Sequence, residues 1–355
     1  MAGKLKLGVI GIGTIGNVHL NAYQAGAADR AEVTALCDIV PERMDSVGDR
    51  LGVKDRFTDY RDLLKADVDA VLVCTWNNLH REMATGALKA GKHVFLEKPM
   101  ALNAREAQQI VDAADKSGKV LQIGMVYRQA AEAQLVRQYV RDGVLGQVYH
   151  MRVTLLRRRG IPGMGGWFTT KSRSGGGPLI DIGVHYFDIS MFMSELWKPT
   201  SVSAMTYAKF GCDMKNYNYV GMWAGPPDYK GTFDVEDFAT GFVRYGDQAS
   251  MEFNISWAAN TDEGNSIEIL GDKGGARLFD GKPLRLYTEF NRNIADIAPQ
   301  TKDDDRFQLQ ARSFVAACRG ETPPAATGRE GLTVMKLIDA VYASGQKGKE
   351  VAISI

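Results

Sequence analysis

From residue 5 onward, short apolar runs alternate with longer segments whose apolar positions recur every three or four residues. The runs occupy 5–10, 33–37, 70–74, 93–96 and 120–123, and the spacing between them predicts helices at 15–25, 41–51, 79–90 and 104–116. Runs that are apolar throughout suit strands buried on both faces, and the intervening helices imply right-handed crossovers and a parallel sheet. The texture changes near residue 127. After a predicted helix at 130–142, Gly143 and Gly146 lead into a long run at 148–156, a Gly-rich loop at 160–166, and a helix from Pro178 to about Ser194. Between 201 and 286, strands such as 241–245, 250–257 and 266–270 follow one another with turn residues and no helices between them. That is the pattern of an antiparallel sheet. Two further helices, 305–318 and 329–344, flank Thr322-Pro323-Pro324. The expected fold class is α/β: an N-terminal domain with a parallel sheet and crossover helices over 1–126, then an α/β domain with a large open, mostly antiparallel sheet over 127–355. The last helix, near 329–345, is placed to pack back on the first domain.

A chain of 355 residues is long enough for two cores. Its 43 Lys and Arg nearly cancel its 42 Asp and Glu, so no net field draws it to nucleic acid or to membrane phosphate. The four cysteines, Cys37, Cys74, Cys212 and Cys318, are scattered and none has metal-ligand spacing, so no metal is expected. Cys37 and Cys74 each close an apolar run, as buried free thiols do, and the set suits a reducing compartment. With no apolar stretch long enough for an export signal or a membrane span, the expected location is cytoplasmic.

Candidate chemistry begins at Gly11-Ile12-Gly13-Thr14-Ile15-Gly16, which follows the first strand and opens a helix. In this context Gly11 serves the tight turn and Gly13 the close approach of backbone to a pyrophosphate. Gly16 serves helix–strand packing, and Thr14 and Ile15 supply N–H groups at the helix start. Asp38 ends the second strand, where an acid bonds the ribose hydroxyls of NAD and repels the 2′-phosphate of NADP. Arg43, one helical turn on, is the residue that would pair with such a phosphate. Two more segments end strands, where open α/β sheets bind ligands: Thr75 to His80, with Asn78 between them, and Glu97-Lys98-Pro99. After Gly175-Gly176-Gly177, a helix starting at Pro178 would set Asp181, His185 and Asp188 on one face, with a carboxylate beside an imidazole suited to proton transfer near neutrality. Each of these has a bland alternative: a glycine turn, a surface ion pair, or a helix pair of modest structural value.

Taken together, the glycine loop, Glu97-Lys98-Pro99 and Asp181…His185 after three glycines resemble the Gfo/Idh/MocA oxidoreductase family, in its order and spacing and over essentially the whole chain. The resemblance implies a Rossmann domain, a C-terminal α/β domain whose open sheet mediates dimers or tetramers, and a substrate held between the nicotinamide and that sheet. It implies that Lys98, Asp181 and His185 are catalytic and that Thr75, Asn78, His80, Glu97 and Lys98 approach the cofactor. The proton-transfer role stays open between Lys98 and His185. Trp76 departs from the pattern, standing where the family commonly has Pro.

Arg128, Arg158 and Trp167 are further candidates for the substrate pocket, alongside Lys98, Asp181 and His185. Residues 207–233 hold seven aromatics, suited either to the faces of a sugar or aglycone or to a subunit interface. The function expected is NAD-dependent hydride transfer at a ring secondary alcohol of a sugar, cyclitol or glycoside, with C3 of a glycoside a candidate. One rival is an enzyme that retains NAD and cleaves a glycoside through transient oxidation and elimination, with no net redox change. The other is a non-enzymatic NAD(H) sensor.

Overall fold

The apolar runs of the N-terminal third become six parallel strands: β1 (Leu5–Ile10), β2 (Ala31–Cys37), β3 (Asp55–Phe57), β4 (Ala70–Val73), β5 (His93–Leu96) and β6 (Leu121–Ile123). Their order, β3-β2-β1-β4-β5-β6, is that of a doubly wound dinucleotide-binding sheet. Helices α1 (Thr14–Gly26), α2 (Pro41–Leu51), α3 (Tyr60–Leu63), α4 (Asn77–Lys89) and α5 (Ala104–Ser117) alternate with the strands. α2 starts with proline at its first positions and ends at Gly52 in the left-handed conformation, the sequence signals of a helix start and stop. β3 has only three residues, none of them buried, so no apolar run announces it in the sequence.

The computed structural model describes residues 3–302 and 304–355. The chain divides into two compact units. One holds the chain up to Ala101, with Arg105–Gln129 and Asp304–Leu332; the other holds Leu102–Ala104, Ala130–Asp303 and Thr333–Ile355. A single division at 126/127 is therefore too simple, because a segment near the C-terminus belongs to the nucleotide unit.

In the second unit, α6 (Ala131–Arg141), β7 (Val148–Leu156), α7 (Lys171–Ser174), α8 (Val184–Ser194) and β8 (Ser201–Tyr207) are followed by β9 (Phe238–Tyr245), β10 (Ala249–Ser256), β11 (Gly264–Gly271), β12 (Gly275–Leu278), β13 (Arg285–Phe290) and β14 (Asn293–Ile297). With the terminal β15 (Val351–Ala352) they form a nine-stranded sheet ordered β14-β13-β12-β11-β7-β10-β9-β8-β15. Only β7 and β10 pair in parallel; the other pairings are antiparallel. Strand alternation buries Met151, Val153, Leu155, Met251, Phe253, Ile255, Ile267 and Ile269 on one face. α8 covers that face and is buried nearly all round, with Phe187 set edge-on to Phe253 at 5.1 Å between ring centres.

α9 (Arg306–Cys318) then returns to the first unit. Its Ala311, Phe314 and Val315 join Leu7, Val9, Leu20, Tyr23, Leu72 and Phe95 in one buried cluster. A parallel sheet needs cover on both faces, and α9 supplies part of it. It lies so close to α1 that a Cβ on Gly26 would sit 2.7 Å from Gln308. α10 (Gly328–Lys347) begins in the first unit and continues in the second. Among the described residues, no helix is long and apolar enough to cross a membrane.

Candidate functional site

In the nucleotide unit, Gly11 takes φ +93° where the chain leaves β1, and any Cβ there would strike the Cys74 carbonyl at 2.6 Å. A Cβ on Gly16 would meet the Gly11 carbonyl at 2.0 Å, so this turn closes only with glycine at both positions. Gly13 differs: a Cβ there would meet nothing within 4 Å. The open space lies at the N-cap of α1, where no side chain caps the helix. The N–H groups at that end and the positive end of the helix dipole are suited to a pyrophosphate.

Asp38, buried at the end of β2, braces the same loop. One carboxylate oxygen accepts from Ile12 N–H at 2.7 Å, and the other accepts from Val40 N–H at 2.9 Å. Arg43 is half exposed, with its guanidinium 3.7 Å from Asp38. Arg43 thus neutralises Asp38 in part, while the carboxylate remains the nearer group to the loop. Residues and space together fit NAD. Replacing Asp38 by Ala removes both a charged acceptor for the loop and the group that repels a 2′-phosphate. NAD should then bind about tenfold more weakly, and the gap between NAD and NADP should narrow. Paired titrations of the two nucleotides read both effects.

At the ends of β4 and β5, His80 on α4 is fully buried, with Nδ1 2.8 Å from the Pro99 carbonyl and Nε2 3.0 Å from the Thr75 carbonyl. Burial pushes its pKa below the ordinary histidine range, against the pull of both carbonyls. A neutral imidazole donates to only one of them. The ring sits between two strand-end loops with both nitrogens facing backbone carbonyls, where the sequence suggests a cofactor contact. Thr75 directs its hydroxyl to Met83 Sδ at 3.5 Å. Asn78 is partly buried in the first turn of α4.

Glu97 is also buried. One carboxylate oxygen lies 2.6 Å from His19 Nε2 and the other accepts from the backbone N–H of Lys98 at 3.0 Å. Burial alone would raise its pKa, but the His19 bond and charge, with Lys98, hold it below the usual glutamate value. The peptide bond between Lys98 and Pro99 is cis. Arg128, expected at the substrate, is buried and donates to the Ala325 carbonyl at 2.9 Å and to Glu330 at 3.0 Å. It fastens residues 126–129 to the returning C-terminal segment. A long-range anchor of this kind cannot be told from a pocket arginine by local pattern.

In the second unit, the helix expected from Pro178 opens instead as one π-helical turn, Leu179–Gly183, and becomes α-helical only at Val184. The wider turn changes the spacing that would have stacked Asp181 beneath His185, and π turns recur at functional sites. Asp181, 9% exposed, accepts from the indole N–H of Trp257 at 3.2 Å. Glu236 holds the start of this segment, accepting from Gly177 N–H at 2.9 Å, Leu179 N–H at 3.1 Å and the Tyr342 hydroxyl at 3.0 Å. Burial pushes its pKa up despite these donors. A Cβ on Gly177 would lie 1.9 Å from the Glu236 carbonyl, and one on Gly176 would lie 1.9 Å from the Tyr342 hydroxyl. The glycine triplet is thus a close-packing requirement in front of Asp181.

Trp257 belongs to a buried cluster with Ile161, Met164, Phe168, Tyr217, Val235 and Ala258, flanked by Trp167, Ile182, Phe210 and Phe233. Trp167 lies on Phe168 at 3.8 Å between ring centres, and Trp223 meets Phe168 edge-on at 5.0 Å. The aromatic segment is ordered by backbone bonds to the Gly-rich loop, from Ala224 to Pro162 and from Asp228 to Met164. Arg158 has an exposed side chain, and its N–H is bonded to Glu263. Arg159 lies over the Phe210 ring at 4.8 Å. Trp257, at the end of an ordinary strand run, carries no local signal that it is the partner of Asp181. His19, a lone histidine on an amphipathic helix, was equally silent. Among the described residues, no group of three His, Cys, Asp or Glu could hold a metal.

A sheet in Rossmann order with a glycine turn, an acid after β2 and space at Gly13 defines the class: a dinucleotide-binding oxidoreductase with a second, sheet-based unit. Residues 5–125 match the model of an oxidoreductase family with an NAD-binding Rossmann fold, and residues 133–277 match the Gfo/Idh/MocA C-terminal domain. The chain belongs to the Gfo/Idh/MocA family and is an NAD-dependent oxidoreductase. It is 32% identical over 354 residues to D-glucoside 3-dehydrogenase of Escherichia coli (strain K12), covering 98% of this chain and 97% of the relative. It is 30% identical to myo-inositol 2-dehydrogenase of Thermotoga maritima, with 98% of each chain covered. An oxidoreductase domain protein from Kribbella flavida has a solved structure that superposes with a TM-score of 0.86 at 27% identity, over 100% of both chains.

Proposed function

We propose that this enzyme oxidises a ring secondary alcohol of a glycoside, at C3 or the equivalent position, and that Lys98, Asp181 and His185 serve that one reaction. The observation that carries the proposal is the buried Asp181 carboxylate, set on a π-helical turn against the indole of Trp257 in a wall of aromatic side chains. A carboxylate accepts from sugar hydroxyls, and aromatic faces suit the C–H surface of a pyranose or a flat aglycone. The whole-length similarity to D-glucoside 3-dehydrogenase supports the same choice.

NAD, when bound, supplies the hydride acceptor. His185, on the first turn of α8, takes the proton of the reacting hydroxyl. Lys98 donates a hydrogen bond to the same oxygen, stabilising the negative charge that grows there as the alcohol becomes a ketone. Asp181 holds a neighbouring hydroxyl, and Trp257 fixes the carboxylate that does so. A screen of glycosides, free hexoses and cyclitols with NAD tests the substrate class through NADH absorbance. Glycosides should give the highest kcat/KM, and a free hexose or cyclitol preferred by about tenfold or more would overturn the assignment.

The exposed face of the nine-stranded sheet supports a homo-oligomer, a dimer or a tetramer. Arg152 pairs there with Glu252 and with Glu268 at 2.9 Å, and Arg277 pairs with Glu268 at 3.1 Å and with Asp280 at 2.9 Å. Met205, Phe242 and Tyr287 stand exposed on the same side. Mixed charges beside apolar groups can complement a second copy of the same surface. Arg152→Glu sets three like charges together and should turn the oligomer into monomer in light scattering.

A further inference from the structure

His19 lies on α1, three residues after the last glycine of the nucleotide loop, and is 1% exposed. Its ring is set edge-on between Phe95 of β5, at 4.8 Å, and Phe307 of α9, at 5.5 Å. These contacts leave little rotational freedom, and they aim Nε2 at Glu97. Glu97 in turn places its second oxygen on the Lys98 backbone N–H, while His80 grips the Pro99 carbonyl from the other side. Any Cβ on Gly124 would collide with the Glu97 carboxylate at 2.8 Å, so the carboxylate is confined on that side too. A buried acid that is fully bonded and tightly enclosed is a poor ligand for a cofactor but a rigid strut.

We infer that His19 is a positioning residue for Lys98, transmitting the setting of the nucleotide-binding helix through Glu97 to the backbone that carries the lysine. The strut has one end on the helix whose N-terminus faces the space at Gly13, and the other on the residue at the end of β5. A pyrophosphate seated at the N-terminus of α1 therefore fixes the position of Lys98 without touching it. The inference rests on Lys98 being a catalytic residue.

ADP-ribose, which carries the pyrophosphate and no nicotinamide, is the probe. Lysines are reductively methylated with 13C, and the Lys98 signal is assigned by its loss in Lys98→Arg. ADP-ribose should move that signal in the native protein. His19→Leu should abolish the movement at saturating ADP-ribose, and His19→Gln, whose amide can reach Glu97, should restore it. Val315→Ala, on the same helix and in the same buried cluster, leaves both rings against His19 in place and should leave the movement intact. With methyl β-D-glucopyranoside as substrate, His19→Leu should lower kcat about tenfold, with KM for NAD within about twofold. A native signal that does not move, a movement that survives in His19→Leu, or one lost equally in Val315→Ala would overturn the inference. Failure of methyl β-D-glucopyranoside to turn over in the native enzyme would count against the glycoside assignment alone, since the NMR outcome stands apart from it.

Discussion

Lys98→Ala should lower kcat by about three orders of magnitude while leaving the affinity for NAD within about threefold. The expected split follows from where the residue sits. The groups that prepare the nucleotide site are the Gly11 turn, the open space at Gly13 and the Asp38 brace, and none of them depends on the Lys98 side chain. The backbone of Lys98 is held by Glu97, and the neighbouring Pro99 carbonyl by His80, so truncation of the side chain leaves the loop in place. In the proposed mechanism the loss is then confined to the positive donor at the reacting oxygen. Lys98→Arg should recover little, because a planar fork does not substitute for a compact ammonium at a single oxygen. Steady-state kinetics with a glycoside and nucleotide titration by fluorescence measure the two quantities separately. An equal fall in NAD affinity and kcat would mean that Lys98 serves binding and not chemistry.

Phe314→Ala should destabilise the nucleotide unit by about 3–5 kcal/mol. Phe314 is fully buried on α9, edge-on to Phe95 at 5.7 Å between ring centres. Phe95 also carries the ring of His19, so the cavity would open beneath the strut that ends at Lys98. Urea denaturation should show the loss, together with a lower midpoint for release of NAD. A loss below about 1 kcal/mol would mean that the segment 304–332 does not share the core of the Rossmann sheet.

The elements that the sequence makes legible are those whose partners lie nearby in the chain. β1, the glycine turn, α1 and the acid at the end of β2 form a continuous stretch in which each residue type follows from local geometry. The continuous apolar runs likewise announce a parallel sheet without reference to anything distant. What stayed hidden depends on contacts between remote segments. α9 reads as one more amphipathic helix, and nothing in its own pattern says that it covers a sheet begun three hundred residues earlier. Arg128 looks available to a substrate until Ala325 and Glu330 are brought to it. The π turn at Leu179–Gly183 follows no period visible in the sequence. It is held by Glu236 and Tyr342, both far along the chain, and it alters the simple helical spacing of Asp181 and His185. Glu97 and His80 were legible as residues near a cofactor, and in the structure they face carbonyls, backbone N–H and His19. Their bonds are made to neighbours that the motif does not contain.

Oxidation at C3 of a glycoside requires hydride transfer from that ring carbon to NAD. The most direct test is to incubate the enzyme with NAD and methyl β-D-glucopyranoside carrying deuterium at C3, and to follow the label by mass spectrometry and NMR. One deuterium should appear on C4 of the reduced nicotinamide for each molecule of 3-keto glycoside formed. Glycoside consumed with no reduced nucleotide, or label washed out into solvent, would contradict it and point to chemistry without net oxidation.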